Sequence, residues 1–238
     1  EIVENAVEKE ETEVEKVEGF VGNFKVTLRE KAKHVIADRC NGCGECAKAC
    51  PIEVPNYFEM NLAPRKAAYV PMSQSVPLVY AIDLDACIHC YKCVDACGAL
   101  EAIDFSQEDK IVTEDIGSII VATGFSHFDP SVMEEYGYGR FPNVITSMEM
   151  ERLNNSAGPT AGNLVRPSDQ KNPKNLAFIN CVGSRDKRYI PSCSNFCCMY
   201  SIKNAILLKQ ANPEVDISIY YIDIRTPSKG YEEFYDRA

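Results

Sequence analysis

The chain has 238 residues, of which 45% are hydrophobic and 25% charged, a globular composition that excludes a disordered polypeptide. Asp and Glu outnumber Lys and Arg by 35 to 25, giving a net charge of -10, so a polyanion is repelled over most of the surface and nucleic acid is disfavoured as a partner. No run reaches the ~18 apolar residues of a membrane span and the Glu/Lys/Val-rich start has no apolar leader core, so the chain reads as cytoplasmic.

Residues 1–36 open with the acidic run ENAVEKEETEVEKVEG, whose plainest reading is a solvated face. The stretches on either side of Gly19 and Gly22 predict a hairpin-like pair of exposed-edge strands. Residues 37–106 repeat one cysteine motif with similar flanks, HVIADRCNGCGECAKACPIEV against YAIDLDACIHCYKCVDACGALEAIDF, an internal duplication. The stretch between the motifs contains RKAAYVPMSQSVP and exceeds what a minimal two-cluster module needs, which predicts a loop or short helix over one cluster.

From 107 to 238 the pattern becomes α/β. GSIIVATG at Gly117 to Gly124 predicts a strand buried on both faces of a parallel sheet, and LAFINCV at Leu176 to Val182 predicts a second. A helix is expected from Asn195 to Gln210, stopped by Asn212 and Pro213, then a strand from Ile217 to Ile224, which together make a βαβ unit. Ser156 to Pro173, rich in Gly, Pro, Ser and Asn, reads as an ordered loop. KGYEEFY starts a further helix, and with no initiator Met the chain reads as part of a larger or divided polypeptide.

All twelve cysteines fall into three groups of four, whereas scattered core thiols would not sort this way. The first two groups are C-x2-C-x2-C-x3-C, the spacing at which three thiolates wrap one cubane while the fourth, expected at a helix start, reaches the neighbouring one. Cluster one is therefore assigned to Cys40, Cys43, Cys46 and Cys97, and cluster two to Cys87, Cys90, Cys93 and Cys50. Gly98 stands where the first motif has Pro51. Zinc is the competing occupant, but its C-x2-C pairs are usually separated by a longer spacer than three cysteines in seven residues. Gly42, Gly44 and Ala47 are expected to leave room for cluster sulfides and to aim backbone amides at them.

The third group, Cys181, Cys193, Cys197 and Cys198, occupies a strand-to-helix turn that in a dinucleotide-binding βαβ unit would carry a glycine-rich phosphate loop. A third cubane is the favoured reading, with zinc, a redox-active disulfide and buried thiols as alternatives. Adjacent residues on a helix diverge by about 100°, so Cys197 and Cys198 can both ligate only if the helix begins at or after the pair. Lys203 is the one cation close by sequence, either a solvated helix lysine or a group stabilising a reduced flavin. His34, His89 and His127 have no ligand spacing and read as structural or surface residues, and there is neither a P-loop nor a Ser-His-Asp arrangement.

The strings VEGFVGNFKVTLREKAKHV, CNGCGECAKACPIEVPNYF, IIVATGF, GPTAGNLVRPSD, FINCVGSRD and CSNFCCMYSIK resemble the iron-sulfur flavoprotein A subunits of CoB-CoM heterodisulfide reductases of methanogens and other anaerobes. The resemblance implies a partial thioredoxin-reductase-like, Rossmann-type flavoprotein domain, to which the strand pair of residues 1–36 and residues 107–238 belong, with an α+β two-cluster ferredoxin inserted at 37–106. It also implies three 4Fe-4S clusters and FAD passing the backbone of Ala122, Thr123 and Gly124, in an oxidoreductase subunit engaged in flavin-based electron bifurcation. Other subunits of such a complex are the implied partners, with hydrogenase, formate dehydrogenase or ferredoxin as electron partners. No G-x-G-x-x-G occurs in the 238 residues, so the FAD pyrophosphate turn is expected outside them. A flavin-free relay of clusters and a zinc-stapled scaffold are the competing functional readings.

Overall fold

The structure is a computed structural model that describes residues 11–238, so the first ten residues, including the start of the acidic run, lie outside it. The described chain divides into two units, one ending at Gly124 and lacking 56–63, the other made of Asn56–Ala63 and Phe125–Ala238.

In the first unit, β1 (Thr12–Phe20) and β2 (Asn23–Glu30) form the expected hairpin, antiparallel around a two-residue turn in which Gly22 takes a φ of +92°. That left-handed value is open to glycine at no steric cost. α1 (Glu45–Ala49), β3 (Glu53–Pro55), β4 (Pro64–Lys66), β5 (Ala68–Tyr69), β6 (Ala81–Ile82) and α2 (Lys92–Cys97) follow, with β3 paired to β4 and β5 to β6. β7 (Lys110–Ile116) pairs antiparallel with β2. Sequence reasoning gave these residues to the α/β part, but β7 completes a three-stranded sheet with the hairpin. The core gathers Val35, Ala68, Val79, Ile82 and Ala102 around Cys46 and Cys93. Ile36 N–H donates to the Ala102 carbonyl at 2.7 Å and Val35 bridges Ile103, which ties the two motif flanks together.

The strand expected at Gly117–Gly124 does not form. The segment is irregular and exposed, with Ile120 91% and Val121 78% accessible. A strand needs at least one neighbour to supply ladder hydrogen bonds, and no described strand pairs with this one.

In the second unit, residues 56–63 carry a 3-10 turn at Tyr57–Glu59. The Glu59 carboxylate accepts both prongs of Arg152 from α3 (Ser147–Leu153), at 2.9 and 2.7 Å. Sequence reasoning missed α3, although its start is a capping box: the Thr146 hydroxyl accepts from Glu149 N–H, and Glu149 accepts from Thr146 N–H. The βαβ unit is present as β8 (Asn175–Ile179), α4 (Cys197–Ala211) and β9 (Asp216–Tyr220), the two strands parallel. Its strands are not buried on both faces as expected. Burial alternates along each, and Ile179 and Tyr220 remain more than half exposed, because the described sheet has two strands. The βαβ unit extends no further among the described residues, so the fold is mixed α/β. α5 (Tyr231–Arg237) is the helix foreseen in KGYEEFY.

Candidate metal centres

The two motifs share a backbone as well as a spacing. Gly42 and Gly44 have φ of +71° and +79°, and the matching positions of the second motif, His89 and Tyr91, have +52° and +60°. Both loops thus turn through left-handed residues, which bulkier side chains adopt at a cost of about 1 kcal/mol each. His89 and Tyr91 offset it by packing, their rings each 5.5 Å from Phe105. The glycines of the first motif are also required by close approach of the chain. A Cβ on Gly44 would stand 2.8 Å from the Tyr80 hydroxyl, and one on Gly42 would stand 3.0 Å from the Leu78 carbonyl. They admit the Leu78–Tyr80 segment, the end of the long connection, across the first motif.

The fourth cysteines are placed differently from expectation. Cys50 caps the C-terminal end of α1, whereas Cys97 ends α2 and is the N-cap of a short 3-10 helix at Gly98–Leu100, so neither starts an α-helix. Gly98 has φ +55° and ψ -129°, a conformation closed to proline, which explains why Pro does not follow Cys97.

Cys50, Cys87, Cys90 and Cys93 line one cavity whose walls include Ile52, Ala68 and Ile82. This brings the fourth cysteine of the first motif to the three of the second. Burial raises the Cys93 thiol pKa, with Cys87 and Cys50 adding to it. Burial pushes Cys46 up to about 11, with Cys40, Cys43 and Cys93 also raising it, so the first three cysteines of that motif face one another. Cys97 packs against the same core as Cys40, and its Sγ accepts the Ala102 N–H at 3.4 Å. Its membership of the first set rests on spacing.

Among the described residues no three His, Cys, Asp or Glu side chains converge on a single ion. Sulfurs around one tetrahedral zinc stand about 3.8 Å apart, from a Zn–S bond of about 2.3 Å. A cubane has an iron for each thiolate and spreads them further.

In the third group, Cys181 follows β8 at φ +65°, and Cys197 and Cys198 are the first two residues of α4, both buried. The helix therefore begins at the pair, as joint ligation requires. Cys198 Sγ donates to the Asp223 carbonyl at 3.7 Å and accepts the Arg225 N–H at 3.5 Å, while Cys193 Sγ accepts the Asn195 N–H at 3.4 Å. Burial raises the Cys198 pKa, and Cys197 and Cys181 raise it further.

Two residues that sequence reasoning passed over complete this site. Arg185, on the loop from Cys181 to Cys193, feels the charge of both and pairs with Asp223, whose own carbonyl meets Cys198. The available signal was a cation inside the cysteine loop, in SRDKR. Lys203, the cation singled out by sequence, instead bonds Glu151 of α3 at 2.5 Å. Ala122, Thr123 and Gly124 lie in the exposed irregular segment, and nothing stands within 4 Å of where a Gly124 Cβ would be. His34 is buried with Nδ1 unpartnered, His89 joins the aromatic group and His127 packs on Phe125.

The duplicated loops, crossed fourth cysteine and shared apolar core define a dicluster ferredoxin-type domain, and the 4Fe-4S dicluster domain model matches residues 39–103. The wider chain is similar to the iron-sulfur A subunit of the CoB-CoM heterodisulfide reductase of Methanocaldococcus jannaschii, 52% identical over 95% of this chain and 34% of that relative. The corresponding iron-sulfur protein of Methanopyrus kandleri is 55% identical over the same shares, and the A subunit of the ferredoxin:CoB-CoM heterodisulfide reductase of Methanosarcina mazei is 44% identical over 95% and 29%. The homologues at 44–55% identity are thus the A subunits of heterodisulfide reductases, and the chain spans about a third of their length.

Proposed function

We propose that this chain is the electron-carrying portion of an oxidoreductase subunit like the A subunit of heterodisulfide reductase, holding three 4Fe-4S clusters. The observation that carries the reading is the crossing of the motifs, with Cys50 in the cavity of Cys87, Cys90 and Cys93. When bound, cubanes supply one-electron redox chemistry.

The chain's own residues provide the sulfurs and their surroundings. Burial opposes ionisation of Cys46, Cys93 and Cys198, so ligation is what keeps these thiols deprotonated. Backbone N–H groups of His89, Ala102, Asn195 and Arg225 donate to Cys87, Cys97, Cys193 and Cys198, spreading thiolate charge in a direction that raises a reduction potential. Val35, Ala68 and Ile82 bury Cys46 and Cys93, while Cys43 and Cys90 lie on the exposed side of their sets.

The flavin is a separate matter. No step is routed through FAD, and the three cysteine sets are what support a relay of clusters within this part of the chain. The thioredoxin-reductase-like architecture and electron bifurcation are read from the resemblance and are supported here only by the single βαβ unit. Other subunits of the complex are the proposed partners. Relatives are named for ferredoxin and for hydrogen and formate, which makes a ferredoxin, a hydrogenase or a formate dehydrogenase the electron donor to test.

The test is metal analysis with absorption spectroscopy on anaerobically purified protein. About twelve irons per chain are expected, four for each cubane. About eight would remove the third cluster, zinc would replace the relay by a scaffold, and flavin bands would overturn the flavin-free reading of this portion.

A further inference from the structure

Arg185 is anchored to the third cysteine set from three directions. The turn that carries it is closed by the Ser184 N–H donating to the Cys181 carbonyl at 3.2 Å. Its own N–H donates to the Ser192 carbonyl at 3.0 Å, which holds it beside Cys193. Its guanidinium pairs with Asp223, and the Asp223 carbonyl lies 3.7 Å from Cys198 Sγ. The residue has a left-handed φ of +59°, a conformation that a non-glycine residue keeps only where its surroundings hold it. Its side chain is 21% exposed, which limits screening of its charge by water. Asp223 is shared, since Arg225 Nε lies 3.4 Å from its other oxygen.

We infer that Arg185 is the positioning cation that sets the reduction potential of the third cluster, and that Asp223 moderates it. The inference rests on the three-cluster reading. A cubane held by four thiolates gains negative charge on reduction, so a fixed cation beside its ligands favours the reduced form and an adjacent carboxylate disfavours it. Arg185 keeps its charge at every working pH and its partner Asp223 meets Cys198, whereas the partner of the lysine singled out by sequence is Glu151 of α3. Removing the cation takes one positive charge from beside the ligands and leaves Asp223 with Arg225 as its partner, so the net charge near the site becomes more negative. Removing the carboxylate leaves the cation unopposed.

The experiment is a potentiometric titration, followed by electron paramagnetic resonance, of the whole cluster-loaded chain and of Arg185→Gln, Arg185→Lys and Asp223→Asn. For Arg185→Gln, reduction of the third cluster should become about tenfold less favourable, which is 59 mV lower for a one-electron couple. Arg185→Lys should stay near wild type, Asp223→Asn should shift upward, and the potentials of the other two clusters should not move. An unchanged potential in Arg185→Gln overturns the inference, as does a fall in Asp223→Asn. If Arg185→Gln fails to load the cluster, the sign of the Asp223→Asn shift decides. Iron content separates the two levels: wild type with about eight irons refutes the third cluster itself, while about twelve with unmoved potentials refutes only the role of Arg185.

Discussion

Replacing Gly98 by proline would make the second motif end in Cys-Pro like the first, and the structure predicts that it damages the site. At φ +55° the glycine must rotate by about 120° to reach the proline value near -65°. Its N–H donates to the Val94 carbonyl at the end of α2, a bond proline cannot make. Nothing stands within 4 Å of a Cβ here, so Gly98→Ala isolates the cost of a positive-φ backbone, about 1–2 kcal/mol. Proline adds the lost hydrogen bond, about 1 kcal/mol, and the forced rotation, for a total of about 3 kcal/mol or more. At 1.36 kcal/mol per factor of ten, opening of the loop should become about 5 to 30 times more frequent in the alanine variant and over about 100 times in the proline variant. Both fall on Cys97, the adjacent residue. The assay is the rate at which an iron chelator bleaches anaerobic protein, with Pro51→Gly as the counterpart in the first motif. Wild-type bleaching by Gly98→Pro would refute the reasoning.

Arg152→Met should destabilise the second unit by about 2 kcal/mol or more, since it strands the Glu59 carboxylate, 12% exposed, against α3, and Glu59→Gln should cost less; denaturant midpoints check the order. Cys46 has a folded pKa of about 11 against an ordinary 9.0, so in iron-free protein its contribution to stability is present below pH 9 and lost as pH rises toward 11. Cluster-loaded protein should lack that loss over the same range, which urea midpoints against pH would show, with Cys46→Ser as control. Cys198→Ala should lower iron to about eight per chain, and an unchanged content would remove Cys198 from the ligand set.

The two-cluster part was legible because its chemistry is local: three cysteines in seven residues specify a loop whatever surrounds it, and the duplication points to the crossing of Cys50. What the loop packs against was less legible. That Gly42 and Gly44 also lie against Leu78 and Tyr80, more than thirty residues away in sequence, could not be read from the motif. IIVATG misled for the opposite reason. An apolar run states a preference for burial, but a parallel strand exists only where neighbours supply its hydrogen bonds. β7 and α3 went unread because β7 alternates weakly and α3 is short, and the capping box at Thr146 was the one signal available. At the third site the cysteines and the late helix start followed from spacing, whereas Arg185 and Asp223, 38 positions apart, meet only through the fold.

The central claim, that the duplicated motifs exchange their fourth cysteines, is tested most directly by iron content in paired variants. Cys50→Ser, Cys90→Ser and the double variant should each keep about eight of about twelve irons, because both cysteines serve one cluster, while Cys43→Ser with Cys50→Ser should keep about four. The reverse pattern, about four irons in the Cys50/Cys90 pair and about eight in the Cys43/Cys50 pair, would show each motif holding its own cluster and contradict the account.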